Sequence, residues 1–202
     1  MSVKIALQTI PLILLALLVI AILVPACAPN PNTVKRVDDY KSALSKANAD
    51  ALPAGSPKVE GSLQSFTAFL QNVGNKEYVS ANTAKVYAGD AYLNDTLVTH
   101  HGPEEIKAYF LKTADNMKSY KVDIDDTASS GSDHYVRWTM VFTSSSLNGG
   151  KPVHSVGMSH VRFNTSGQVV IHQDYWDSGT TIYGQIPVVG GLIETIRRRF
   201  EK

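Results

Sequence analysis

Three hydrophobic patterns follow one another along the chain. Residues Ile10 to Val24 are apolar without interruption. From Leu63 to Ala114 apolar residues recur three or four apart, and from Tyr120 onward they alternate with polar ones. These are the periods of a helix face and of a half-buried strand.

The helical period predicts three helices. Leu63, Phe66, Leu70 and Val73 mark the first, with Ser62 placed to cap its start and Gly74 to close its end. The second runs from Lys76 to Ala88 with Tyr78, Val79, Val86 and Tyr87 on its apolar side, and Gly89-Asp90 breaks it. Ala91 to His100 then reads as extended. Gly102-Pro103 opens the third helix, with Glu104 and Glu105 at the positive end of its dipole and Ile106, Tyr109, Phe110 and Ala114 as its stripe. The alternating region gives four strands, Tyr120–Asp126, Tyr135–Ser144, Val153–Phe163 and Val169–Asp177, separated by turn-forming stretches. Helices first and an antiparallel meander afterwards is the α+β order. The tail from Ile186 ends as a short amphipathic helix, whose apolar side is expected to cover the sheet or close a cavity. Its Arg197-Arg198-Arg199 run suits a helix C-terminus, and it could also lie on an anionic membrane face.

The last strand holds the candidate chemistry. His172, Asp174 and Trp176 stand at alternate positions and share one face, as the floor of a pocket would. The plainer reading of Asp174 is a carboxylate paired with Arg137 for structure, since a buried Asp needs a partner. In the strand Tyr135–Ser144, Val136, Trp138, Met140 and Phe142 form the apolar face and Arg137, Thr139, Val141 and Thr143 the polar one. Patterning alone puts Arg137 in water. His172 and Asp174 have no third ligand at a metal-binding spacing, and His100 and His101 oppose each other on a strand, so no metal is expected. Serine-hydrolase, zincin and dinucleotide-binding motifs are absent, and no cofactor is expected.

The N-terminus changes the compartment. Its apolar run is 15 residues, the length of a signal-peptide core and short of the roughly 18–20 that span a bilayer. Val24-Pro25-Ala26-Cys27 follows, and Cys27 is the only cysteine. This arrangement resembles the lipobox of bacterial lipoproteins, whose cysteine is lipidated and becomes the mature N-terminus. An uncleaved anchor is the alternative. Either reading tethers the protein to a membrane in the cell envelope, and Ala28 resembles the outer-membrane sorting pattern in a Gram-negative host. The expected organisation is a signal peptide over 1–26, a tether over 27–60, a folded domain over 61–185 and a C-terminal amphipathic helix over 186–202. A net charge of +1 on 202 residues lacks the basic excess that nucleic acid requires.

A family resemblance enters through three stretches: Tyr87-Ala88-Gly89-Asp90-Ala91-Tyr92-Leu93-Asn94-Asp95, Gly102-Pro103-Glu104-Glu105-Ile106, and Gln173-Asp174-Tyr175-Trp176-Asp177. They resemble segments of the cone-shaped fold shared by nuclear transport factor 2, ketosteroid isomerase, SnoaL-like polyketide cyclases and limonene-epoxide hydrolase. The resemblance covers about residues 61 to 180. It implies helices packed on a curved, mainly antiparallel sheet with a pocket between them, but not one function.

Two chemistries map onto it. The epoxide-hydrolase pattern would use Tyr92 and Asn94 to hold a water, with Arg137 and Asp174 in the relay. Its second aspartate falls on Thr139, which cannot share a proton as a carboxylate does. The isomerase pattern would use Asp95 as the proton carrier, and the cyclase pattern Asp174. On a regular strand Asp95 faces away from Tyr92 and Asn94, so both mappings hold only if the strand bulges. The resemblance also puts Arg137 and Thr139 in the cavity beside Trp176 and His172, against the simple patterning, and turns the Trp138 face toward another subunit or the C-terminal helix. The expected function is binding of a small hydrophobic molecule with aspartate acid/base chemistry, or non-catalytic binding of a ligand or protein. A homodimer fits either.

Overall fold

The computed structural model describes residues 33–53 and 55–201. The expected signal peptide, the Cys27 lipidation site and the first residues of the expected tether lie outside the described residues. The chain divides into two compact units, Met1–Tyr40 and Lys41–Lys202, and everything below concerns the second unless stated.

Six α-helices and six strands are present among the described residues: α1 (Thr33–Ala47), α2 (Lys58–Gln71), α3 (Lys76–Val86), β1 (Tyr87–Asn94), β2 (Thr99–His101), α4 (Gly102–Asp115), β3 (Ser119–Ser130), β4 (Asp133–Thr143), β5 (Val153–Phe163), β6 (Val169–Trp176), α5 (Ser178–Thr181) and α6 (Val189–Arg197). The strands form one open, curved sheet in the order β2-β1-β6-β5-β4-β3. All neighbours are antiparallel except β1 and β6, so the sheet is mixed. Helices α2, α3 and α4 pack on one another, with α2 also against β3 and α4 against β1. The α+β order read from periodicity is the order observed.

Tyr87 departs from the expected helix. Helix α3, opened by the Asn75 side chain accepting from the Tyr78 amide at 3.0 Å, stops at Val86. Tyr87 already pairs with Val169 across the parallel β1–β6 ladder and is 1% exposed. Between Tyr87↔Val169 and Tyr92↔Ile171 the strand β1 uses more residues than β6, so it bulges at the exposed pair Gly89-Asp90.

The expected tether is ordered in part. Helix α1 buries none of its side chains, as its poor apolar face predicts. Beyond it, however, Leu52 is 4% exposed and its amide donates to the Phe163 carbonyl at 2.8 Å. Arg162 donates to the Leu44 carbonyl at 3.2 Å and to Asn48 Oδ1 at 2.5 Å. Residues 44–52 are thus fastened to the end of β5, and α2 starts at Lys58 rather than Ser62. The signal is weak because one apolar side chain, Leu52, and a few polar bonds do the work. The tail corrects a second expectation. Helix α6 buries no residue, so its apolar side neither covers the sheet nor closes the cavity.

Arg162 is also the centre of an ionic cluster. Asp133 Oδ1 accepts from Arg162 Nη2 at 2.6 Å and Nε at 2.9 Å and from His160 Nε2 at 2.7 Å. Burial opposes the charge on Asp133, but the bonds from His160 and Arg162 hold it below the ordinary carboxylate range. Burial pushes His160 and its neighbour His134 down. All three shifts act in one direction. As pH falls below about 6.5 the unfolded chain takes up histidine protons that the folded chain refuses, and near 4 it takes up the Asp133 proton as well. Stability should therefore decline on acidification from pH 7. Urea midpoints measured at successive pH values check this, and His160→Gln should flatten the part of the slope nearest neutrality.

Candidate functional site

A cavity of about 350 Å³ lies between the helices and the inner face of the sheet. Its walls are mostly apolar, including Leu70, Val73, Phe110, Val122, Met140 and Phe142. Among the described residues, two carboxylates line it, Asp95 and Asp174, together with His172 and Trp176. This apolar chamber with few convergent polar groups is the usual form of a small-molecule site.

Strand β6 supplies the centre of the polar group. Its alternation puts His172, Asp174 and Trp176 on the cavity side. Across β5, Asp174 sits opposite Ser159, and across β4, Ser159 sits opposite Val136, beside Trp138. The result is a connected chain of bonds. Trp138 Nε1 donates to Ser159 Oγ at 3.0 Å, and Ser159 Oγ donates to Asp174 Oδ1 at 2.5 Å. His172 Nε2 meets the same oxygen at 2.8 Å, and its Nδ1 meets the Tyr87 hydroxyl at 2.9 Å. An imidazole with its proton on Nε2 satisfies both of its bonds, with Tyr87 donating. Burial, and then the charge of Asp174, push the Tyr87 phenol well up, so it stays a donor. His172 and Tyr87 are each 1% exposed and stack with centroids 6.0 Å apart. Both bonds fall on Oδ1, which leaves Asp174 Oδ2 without a partner among the described residues.

Asp95 lines the same cavity but is differently occupied. Its Oδ1 accepts from the Leu97 and Val98 amides at 3.0 Å each, and its Oδ2 accepts from the Tyr109 hydroxyl. The Trp176 indole donates to the Asp95 carbonyl at 2.6 Å. Burial and the neighbouring Asp95 charge push the Tyr109 phenol up. Asp95 thus fixes the turn between β1 and β2, where Thr96 holds a left-handed φ of 76°.

The remaining expected site residues lie elsewhere. Asn94 donates to Thr99 Oγ1 at 2.7 Å and accepts from Gln173 Nε2 at 3.0 Å. Tyr92 donates to Gln173 Oε1 at 3.4 Å, and neither residue lines the cavity. Arg137 pairs with Asp126 at 2.9 Å, with 61% of its side chain exposed, and Thr139 is absent from the lining. The expected convergence of Asp174 with Arg137, Tyr92 and Asn94 therefore does not occur. Trp138, Met140 and Phe142 face the cavity instead, so simple alternation places β4 correctly and the resemblance does not. Tyr87, Tyr109, Tyr120 and Ser159 were not singled out from sequence. For Ser159 a signal existed, since pairing the last two strands sets it opposite Asp174.

Gly157 makes room for this arrangement. A Cβ there would come within 2.3 Å of the Trp138 ring, which lies across it from the paired strand. Gly157→Ala is expected to cost about 1–3 kcal/mol by overpacking. It should also drive the indole toward the cavity, away from Ser159. Urea unfolding and the near-ultraviolet dichroism of the tryptophans check both effects.

The model of the SnoaL-like domain family matches residues 66–172, more than half of the chain. The chain belongs to this family. Solved structures place the SnoaL-like domain among nuclear transport factor 2-like folds. A protein of ketosteroid isomerase-like fold from Catenulispora acidiphila, in complex with trimethylamine, is 16% identical with a TM-score of 0.52, covering 61% of this chain and 93% of its own. A proposed SnoaL-like polyketide cyclase from Jannaschia sp. CCS1 is 12% identical with a TM-score of 0.54, covering 63% and 94%. A limonene-epoxide-hydrolase-like enzyme from M. tuberculosis is 15% identical with a TM-score of 0.52, covering 70% and 99%. At these identities the likeness concerns the fold. No curated protein matches the chain.

Proposed function

We propose that this SnoaL-like domain is tethered to a membrane of the cell envelope through its N-terminal segment and binds a small hydrophobic molecule in the cavity. Asp174 is the residue proposed to exchange a proton with that molecule. The supporting observation is the state of its carboxylate. Oδ1 is fixed by Ser159 and by the His172–Tyr87 pair, while Oδ2, at an apolar chamber, has no partner among the described residues. A base held in one orientation, with one oxygen free, suits proton removal from a carbon beside a carbonyl. The C–H electrons then move to the carbonyl oxygen as an enolate, and Asp174 returns the proton to the same or a conjugated carbon. Isomerase- or cyclase-type chemistry follows from such a step. The epoxide-hydrolase reading has no support here, because Arg137, Tyr92 and Asn94 stand away from Asp174.

Non-catalytic binding is the alternative, and one observation favours it. The two cavity phenols, Tyr109 and Tyr120, already donate to Asp95 and to the Leu70 carbonyl. An enolate would need one of them to switch partners.

The test is a set of cyclic ketones and lipid-soluble carbonyl compounds screened by thermal shift, with each stabilising compound then incubated in D₂O. Deuterium appearing beside the carbonyl only with protein supports acid/base chemistry. Stabilisation with unchanged compound supports binding alone, and no stabilisation by any compound counts against both. Palmitate labelling of the wild type and Cys27→Ser tests the tether, and equal labelling would rule out lipidation.

A further inference from the structure

We infer that helix α6 is a second membrane contact, docking in the headgroup region of an anionic bilayer beside the cavity. Val188, Leu192, Ile196 and Phe200 stand four apart and form one stripe along the tail. They are 80%, 62%, 55% and 86% exposed. Leu192 and Ile196 on α6, which has no buried residue, with Val188 and Phe200 flanking its two ends, make an exposed apolar surface that needs covering.

The charges say which surface. Arg197, Arg198 and Arg199 stand at the helix end, between Ile196 and Phe200. Arg197 pairs with Asp177 at 2.7 Å and Arg198 with Glu194 at 3.1 Å, while Arg199 has no acidic partner among the described residues. Exposed pairs of this kind are worth little and exchange readily for phosphate. An apolar stripe next to arginines is the pattern of a helix that lies in the interface plane, sunk about 5–10 Å. At nine residues α6 is about 13 Å long, far too short to cross the bilayer. It is also too small for a stable dimer on its own. One side of a short helix offers a few hundred Å², against roughly 800 Å² per partner in standard interfaces.

The position of the tail gives docking a consequence. Ile182 lines the cavity and the tail departs immediately after it. A docked α6 would hold this end of the chamber near the lipid, so a ligand dissolved in the bilayer need not cross water to enter. The inference draws on the proposed tether only for bringing a bilayer within reach.

The full chain, mixed with vesicles of phosphatidylcholine alone or containing phosphatidylglycerol, is examined by flotation and by amide hydrogen exchange. Flotation reports the tether and the exchange of residues 189–200 reports the helix. Exchange there is expected to slow at least about tenfold with phosphatidylglycerol only, and to recover in high salt. The variant Leu192→Gln/Ile196→Gln/Phe200→Gln should float as the wild type does while losing the protection. Equal exchange in both vesicles and in solution overturns the inference even if the protein floats. Protection that needs no lipid and grows with protein concentration overturns it in favour of a second copy. Protection with phosphatidylglycerol in a chain that fails to float on phosphatidylcholine supports the helix and removes the tether.

Discussion

Phe69→Ala is expected to destabilise the domain by about 3–5 kcal/mol, the range for emptying a buried aromatic site. Phe69 is fully buried, with ring centroids 5.3 Å from Tyr87, 5.4 Å from Phe110 and 6.4 Å from Tyr78. It therefore joins α2, α3, α4 and the first residue of β1. These neighbours are rings anchored on separate elements, so they cannot collapse into the vacated volume together. A loss of that size is a large part of the roughly 5–15 kcal/mol that stabilises a domain. The damage should reach the site, because Tyr87 both packs on Phe69 and bonds His172. Urea unfolding gives the energy as a lower midpoint with the slope kept. A variant within about 1 kcal/mol of the wild type would show that Phe69 does not hold these elements together. Phe69→Leu should recover most of the loss.

That core was readable from the chain because its signals are periodic. Phe66, Leu70, Ile106 and Phe110 repeat at helical spacing, and the four long strands alternate. Tyr87 was not readable in the same way. It ends an apparent helical stripe, and only its pairing with Val169, 82 positions later, turns it into the start of a parallel strand. Leu52 was missed because a single buried leucine after a polar helix has no periodic partner. Helix α6 shows the reverse case. Its amphipathic pattern was plain, yet a pattern says that a face wants covering and not what covers it.

The site was legible where it depended on one strand and illegible where it depended on several. His172, Asp174 and Trp176 follow from alternation alone. The bulge in β1 lies upstream of Tyr92, and the strand is regular from Tyr92 to Asn94, so the two mappings do not hold together: Asp95 lines the cavity while Tyr92 and Asn94 turn to Gln173. Arg137 shows the hazard of borrowing a role from a fold. Its own strand pattern put it in water, and there the structure pairs it with Asp126 of the neighbouring strand. Asp174 is consequently fixed by Ser159 and His172 rather than by an arginine.

This difference shapes the second large effect, expected for Asp174→Asn. With no arginine to be stranded, the substitution removes a charge without orphaning another, so the fold should survive. The amide oxygen can still accept from Ser159 and His172, and the amide NH₂ then takes the place of Oδ2. Ligands that raise the unfolding temperature of the wild type should still raise that of the variant. What the amide cannot do is take a proton. Proton exchange at the ligand carbon should fall by about 10²–10⁴-fold, the usual worth of a positioned general base. Asp95→Asn should leave the exchange rate near that of the wild type, since Asn can replace the bonds to Leu97 and Val98 that define the role of Asp95. Magnetic resonance of the ligand in D₂O reads both rates. Equal exchange in wild type and Asp174→Asn would take Asp174 out of the chemistry, while a large loss in Asp95→Asn alone would move the base to the turn between β1 and β2.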